Sequence, residues 1–300
     1  MEIILKTKNL TKKFGNKIAV DNVNMTINKG DIYGFIGKNG AGKTTFMKMI
    51  LGLTYENSGE IELFESNNLN NERRKIGSLI EAPGLYRNAT AYENMYRFSI
   101  VYGGNKKEIL ELLDFVGLKD VGKKKVKNFS LGMKQRLGIA IALLGNPEFL
   151  VLDEPINGLD PAGIKEVRDI ILKINKEKGI TFLISSHLLD ELSRVVTKYG
   201  IIDNGILIEE VNASELMDKC KNKLVITTND ANKSKKVLST LIKEEDMIIK
   251  GNDVEITSHV KDGEKINKLL CENNIFASRI CPLTDSLEDY FIRKIGGVNE

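Results

Sequence analysis

Asp31–Ile32–Tyr33–Gly34–Phe35–Ile36–Gly37–Lys38–Asn39–Gly40–Ala41–Gly42–Lys43–Thr44–Thr45–Phe46 is the stretch that decides the fold. A short, nearly continuous apolar run meets a glycine-rich turn, and Thr44 to Leu51 then carries helical spacing, so strand, loop and helix follow in that order. The residues from Gly37 to Thr44 fit G-x-x-x-x-G-K-[ST], in the strand-to-helix setting that the pattern requires. Gly37, Gly40 and Gly42 let the backbone wrap closely with its N–H groups pointing inward, and the following helix offers its positive end to an anion. The loop of Gly37, Lys38, Asn39, Gly40, Ala41, Gly42, Lys43, Thr44 and Thr45 is therefore expected to hold phosphate. In that reading Lys43 reaches the β- and γ-phosphates and the Thr44 hydroxyl ligates Mg²⁺.

Two further buried-type strands, Phe149 to Leu152 and Ile180 to Ile184, are separated by a long helix from about Ala162 to Lys178, a βαβ rhythm that implies parallel pairing. The first of them ends in Asp153 and Glu154, at the sheet edge where ligands of open α/β sheets bind. After a strand such a pair is commonly a plain helix cap or a solvated turn. Beside a phosphate loop it supplies what the loop lacks: Asp153 as a second contact to Mg²⁺, mostly through water, and Glu154 to orient or deprotonate the attacking water. His187 follows the next strand, where it is expected to sense the γ-phosphate through Glu154 and water. The other histidine, His259, is expected to have no acidic or nucleophilic group around it.

Around this centre, Ile3 to Thr7 and Ala19 to Ile27 read as strands of a small β layer. Tyr92 to about Leu144 is dominated by helical patterns, including Lys107 to Val116 and Leu131 to Leu144, and reads as a helical subdomain inserted in the sheet. Ile201 to Ile208 reads as a hairpin, and a helix near Ser214 to Lys219 leads out of a first domain. Beyond it, a strand at Leu224 to Thr228, a helix from Ala231, a strand pair around Gly251–Asn252–Asp253, a helix from Asp262 and a strand near Ile275 suggest a compact α/β cap. The expected domains are 1–213 and 214–300.

The 300 residues carry a net charge of only +3, with basic and acidic stretches interspersed, which gives no case for nucleic acid as a partner. Lys123–Lys124–Lys125 reads as a solvated face. Cys220, Cys271 and Cys281 are too few and too irregularly spaced for a disulfide framework or a zinc site, and are expected to be buried or reduced thiols. No apolar run approaches the ~18–20 residues of a membrane helix, so any membrane role is expected to come through a partner.

With these residues in hand the chain resembles an ABC transporter nucleotide-binding subunit, over about residues 1–213. The decisive motif is Phe129–Ser130–Leu131–Gly132–Met133–Lys134–Gln135–Arg136, a variant of the family's L-S-G-G-Q signature in which Leu131 replaces the first glycine and Met133 the terminal glutamine. Ser130 can cap the helix that follows, whose N-terminus attracts an anion. The resemblance implies that Ser130 and Gly132 face the γ-phosphate bound on a partner chain. It also implies that Phe14 stacks on adenine and that Asp160 belongs to a dimer-contact loop, although Phe14 could equally be core and Asp160 a plain helix cap. The implied fold is an α/β P-loop ABC ATPase domain, mainly a parallel sheet with an antiparallel β layer and an inserted helical subdomain. The implied partners are a second ATP-binding subunit and separate transmembrane permease subunits, at the cytoplasmic face of the membrane, with ATP and Mg²⁺ as cofactors.

Glu81, in Ile76–Gly77–Ser78–Leu79–Ile80–Glu81–Ala82–Pro83, stands where the family usually has glutamine, and a carboxylate there can still face Mg²⁺ or water. This residue, with the ending Ser286–Leu287–Glu288–Asp289–Tyr290–Phe291, resembles the subgroup that exports or resists lantibiotics and bacitracin-like peptides, the peptide being contacted by the permease. The alternatives are an exporter of another substrate such as a lipid or ion, or an ABC ATPase acting on ribosomes or DNA. A single P-loop and the lack of sustained heptads speak against the latter.

Overall fold

The computed structural model describes residues 2–102, 104–219, 222–284 and 287–296. Its contacts divide the chain into two units, Met1–Ala213 and Ser214–Glu300. In the first unit, β1 (Ile3–Phe14) and β2 (Lys17–Asn28) form an antiparallel hairpin closed by Gly15 and Asn16, with Phe14 paired to Lys17. Val23, Met25 and Ile27 point into the core with the two-residue period of a half-buried strand, and Val20 joins them across a register shift in the β1–β2 pairing. Both strands run beyond the expected stretches, because the exposed hairpin tip carries no apolar alternation to read. β3 (Ile32–Ile36) enters the glycine loop and α1 (Lys43–Ile50), and β4 (Ser58–Leu63) then returns to the edge of β1. The result is a three-stranded antiparallel layer in the order β2-β1-β4.

α2 (Leu69–Glu72) and β5 (Ile76–Leu79) precede an all-helical stretch of α3 (Ala91–Tyr102), α4 (Lys106–Phe115) and α5 (Leu131–Ala142). Its helices start on side-chain caps. Thr90 and Glu93 exchange hydrogen bonds as a capping box, Asn105 accepts from Lys107 and Glu108, and Ser130 accepts from the Met133 N–H at 3.2 Å. β6 (Phe149–Asp153), α6 (Pro161–Lys178), β7 (Thr181–Ser186), α7 (Leu189–Leu192), β8 (Lys198–Asp203) and β9 (Ile206–Asn212) complete the unit. Asp160 caps α6 through the Gly163 N–H at 3.0 Å, Pro161 opens its first turn, and Gly179 at φ +66° ends it.

The six-stranded sheet runs β5-β6-β7-β3-β8-β9, parallel throughout except for the β8–β9 hairpin. Every residue of β3, β6 and β7 is buried, as for strands covered on both faces. Because β7 lies between β6 and β3, the glycine loop, the Asp153–Glu154 pair and His187 all leave the carboxyl ends of three adjacent strands. Lys123, Lys124 and Lys125 are exposed, as a solvated face requires.

The second unit follows α8 (Ala213–Lys219) with β10 (Asn222–Thr228), α9 (Ala231–Leu238), β11 (Met247–Lys250), β12 (Asp253–Ile256), α10 (Gly263–Glu272), β13 (Ala277–Thr284) and α11 (Leu287–Gly296). The antiparallel order β11-β12-β10-β13, with helices after the first and third strands, is the ferredoxin-like β-α-β-β-α-β arrangement. Leu224, Ile226, Leu238, Val254, Ile256, Ile266 and Leu270 form its own core. The strand expected near Ile275 begins at Ala277, because Asn274 in the left-handed region follows α10 and Ile275 packs into the core before pairing starts.

His259 does have an acidic partner, contrary to expectation. Its Nδ1 lies 2.8 Å from Asp262 Oδ2, and Lys265 donates to the other carboxyl oxygen at 3.1 Å. These hydrogen bonds hold the Asp262 carboxyl below the usual range. Cys271 is exposed rather than buried, Cys281 is half-buried and both are free, whereas Cys220 and Ser286 lie outside the described residues. Among the described residues no helix is long and apolar enough to cross a membrane.

Candidate active site

The glycine loop and the hairpin tip enclose a cavity of about 300 Å³ lined by Phe14, Lys17, Ala19, Lys38 to Thr45 and Glu154. Gly42 shows why the loop needs glycine. It sits at φ +109°, and a Cβ there would stand 2.4 Å from the Ala19 carbonyl oxygen. Lys43 is buried, and its ammonium donates to the Gly37 carbonyl at 2.5 Å and the Lys38 carbonyl at 3.2 Å, so the loop curls around its own lysine. The same ammonium lies 3.3 Å from Glu154 Oε1.

From the first turn of α1 the Thr44 hydroxyl donates to Asp153 Oδ2, at the end of β6, at 2.8 Å. Asp153 Oδ1 accepts from the Ser185 hydroxyl, whose oxygen in turn accepts from the Glu154 N–H at 2.9 Å. Ser185 faces Asp153 in the β6–β7 register and is fully buried. Glu154 takes φ +50°, an uncommon conformation for a residue with a Cβ. That turn leaves Oε2 at 2.8 Å from His187 Nδ1 and Oε1 buried without a hydrogen bond, beside Lys43. The structure thus brings together Lys43, Thr44, Asp153, Glu154 and His187. Sequence reasoning named these five and missed Ser185, whose signal was a hydroxyl at the end of the strand next to the acidic pair. It also missed Lys17 on the cavity wall.

Phe14 borders the same cavity from the hairpin tip, 54% exposed, with the Lys12 ammonium 5.0 Å from its ring centre. Ser130, Gly132 and Asp160 are not part of the cavity lining. They belong to two caps that pack on each other, where a Cβ on Gly132 would lie 3.8 Å from Gly163 and one on Gly158 would lie 3.3 Å from Leu131. Glu81 pairs with Lys48 at 2.8 Å instead of with Thr44 or Asp153. That hydrogen bond, with the nearby positive charge, holds the Glu81 carboxyl below its ordinary range.

The donor set suits a hard cation that completes its shell from phosphate and water. Thr44 and Asp153 present oxygens side by side, and among the described residues no group of three or more His, Cys, Asp or Glu builds a cage.

Comparison with known proteins agrees with this geometry. The family described as ABC transporter matches residues 20–157. The bacitracin transport ATP-binding protein BcrA of Bacillus licheniformis is 45% identical over 302 residues, covering 99% of both chains. The lantibiotic transport ATP-binding protein SrtF of Streptococcus pyogenes is 47% identical over 226 residues, covering 74% of this chain and 98% of its own. The dimeric post-hydrolysis structure of the ATP-binding cassette MJ0796, bound to ADP and Pi, superposes with a TM-score of 0.63 at 28% identity, covering 70% of this chain and 99% of that one. A strand–glycine-loop–helix unit beside a carboxylate pair, in a chain 45% identical to one such relative over 99% of its length, places the chain in the ABC transporter family, as an ABC ATPase.

Proposed function

We propose that the chain powers the export of antimicrobial peptides of the bacitracin or lantibiotic type through separate membrane subunits, hydrolysing MgATP as one half of a two-chain sandwich. The observation that carries the chemistry is the Glu154 carboxylate, held by His187 on one oxygen and bordering the P-loop lysine with the other. The names of the relatives that match most of this chain, together with Glu81, support the peptide substrate.

In this reading the loop N–H groups and Lys43 hold the phosphates, and Phe14 stacks on adenine. Thr44 and Asp153 would hold Mg²⁺, which neutralises phosphate charge when bound. Ser185 fixes Asp153 and the Glu154 backbone in one unit, so the two acids keep separate tasks. Glu154 orients the attacking water and takes its proton, and His187 keeps that carboxylate turned toward the phosphate. Ser130 and Gly132, at the N-terminus of α5, reach the γ-phosphate held by a second copy, and Asp160 shapes the loop between the copies. The exposed apolar residues Tyr86, within the segment from Glu81 to Met95, and Tyr96, Ile100 and Val101, just after it, offer the membrane subunits a docking surface at the cytoplasmic side.

Glu154→Gln is expected to keep ATP binding, lower turnover by about 10²-fold or more, and trap a dimer in ATP that gel filtration resolves. Near-normal turnover with no trapped dimer would overturn the mechanism. Co-purified with its membrane partners, the chain is expected to hydrolyse ATP faster when bacitracin or a lantibiotic is added. Stimulation by lipids or ions alone would point to another substrate.

A further inference from the structure

We propose that Lys48 is a positioning residue for Glu81, holding its carboxylate as an exchangeable counter-charge on the α1 face that carries the Thr44 hydroxyl. The inference rests on the MgATP site described above and concerns a carboxylate at the other end of the helix face that carries Thr44. Thr44 and Lys48 are four residues apart on α1, so they share a face one turn, roughly 5.4 Å, apart. Both are half-buried while Phe46, Met47, Met49 and Ile50 face the core, so this open face runs from the metal-binding hydroxyl to the lysine. Lys48 Nζ meets Glu81 Oε1 at its far end, at 2.8 Å.

A carboxylate at residue 81 adds negative charge on the α1 face whose other end carries Thr44, and negative charge on that face weakens anion binding at the loop. Lys48 offsets it. The pair is a resting position rather than a brace, because the Glu81 side chain is 66% exposed and such a surface ion pair is weak enough for a competing charge to displace. The Glu81 backbone at φ +61° lies in the left-handed region, which a non-glycine residue keeps only where its surroundings hold it. Loss of Lys48 therefore leaves the Glu81 charge on this face uncompensated, whereas loss of Glu81 makes Lys48 dispensable.

The test is a binding cycle on the full chain with a fluorescent ATP analogue, measured in EDTA and in Mg²⁺. The variants are Lys48→Met, Lys48→Arg, Glu81→Gln and the Lys48→Met/Glu81→Gln double, with melting temperatures recorded for all. Lys48→Met is expected to weaken Mg²⁺-free binding about three- to tenfold, and less in Mg²⁺, with Lys48→Arg recovering most of the loss. The double variant is expected to match Glu81→Gln alone. An equal loss from Lys48→Met in both backgrounds would mean that Lys48 acts on phosphate directly, and no loss in either would mean that it does nothing. A similar drop in melting temperature in both backgrounds would make its role structural. Each of these results overturns the proposal. Failure of the unaltered chain to bind the analogue any better than Lys43→Ala would instead overturn the P-loop reading on which it stands.

Discussion

Ser185 ties the two acids into one unit: its hydroxyl donates to Asp153 and accepts from the Glu154 N–H inside a fully buried strand end. Ser185→Ala removes both bonds and leaves a backbone donor and a carboxylate oxygen short of a partner. The expected cost is about 1–3 kcal/mol of stability, the range for an unsatisfied buried polar group. Turnover is expected to fall further than nucleotide affinity, because Glu154 loses the bond that fixes its left-handed turn while the P-loop stays intact. Thermal melting and steady-state ATPase kinetics on the same preparation check this, and an affinity loss that matched the fall in turnover would count against it. The acids themselves were legible in the sequence, since Asp153–Glu154 closes an apolar run and His187 closes the next. Ser185 was not, because its role depends on Asp153 and Ser185 standing opposite each other in the β6–β7 register, a fact of pairing rather than of local sequence. For the same reason Lys48 was invisible as a partner of Glu81, 33 residues away.

At the scale of elements, legibility followed burial. β3, β6 and β7 are buried at every position and stand out as apolar runs, and the caps at Ser130 and Asp160 announce α5 and α6. β4 opens with the exposed Ser58–Gly59–Glu60, and β5 is only Ile76–Gly77–Ser78–Leu79, so neither offers a period long enough to read. α11 carries Leu287, Tyr290 and Phe291 at helical spacing, yet its sequence was read as a family ending rather than as a helix. β5 nonetheless has one strict demand. A Cβ on Gly77 would stand 1.9 Å from the Ala142 carbonyl oxygen at the end of α5 and 2.7 Å from Leu150 Cδ2. Gly77→Ala must therefore push strand and helix apart, at an overpacking cost of about 1–3 kcal/mol. For a unit of this size that lowers the melting temperature by roughly 2–4 °C per kcal/mol. Gly84→Ala is the control, since Gly84 is exposed and a Cβ there meets nothing within 4 Å. Equal melting temperatures for the two variants would refute the packing argument.

At the scale of the molecule, the decisive fact is that these two core clusters share no residue among the described residues. One cluster runs from Ile4 to Ile202 and the other from Leu224 to Ile275. Every residue assigned to nucleotide chemistry, from Phe14 to His187, belongs to the first unit, as do the strands that align them. A unit of this size with its own core is large enough to fold alone. A chain ending at Ala213 is therefore expected to fold and to bind MgATP with a Kd within about threefold of the full chain, since a separate domain contributes to affinity only where it touches or orders the site. Circular dichroism establishes folding and analogue fluorescence gives the Kd. A folded fragment that had lost ATP binding would refute the assignment of the site to this unit alone. If the fragment binds as expected, the ferredoxin-like unit has no part in holding nucleotide, and its contribution must be sought in the transport reaction with the membrane subunits present.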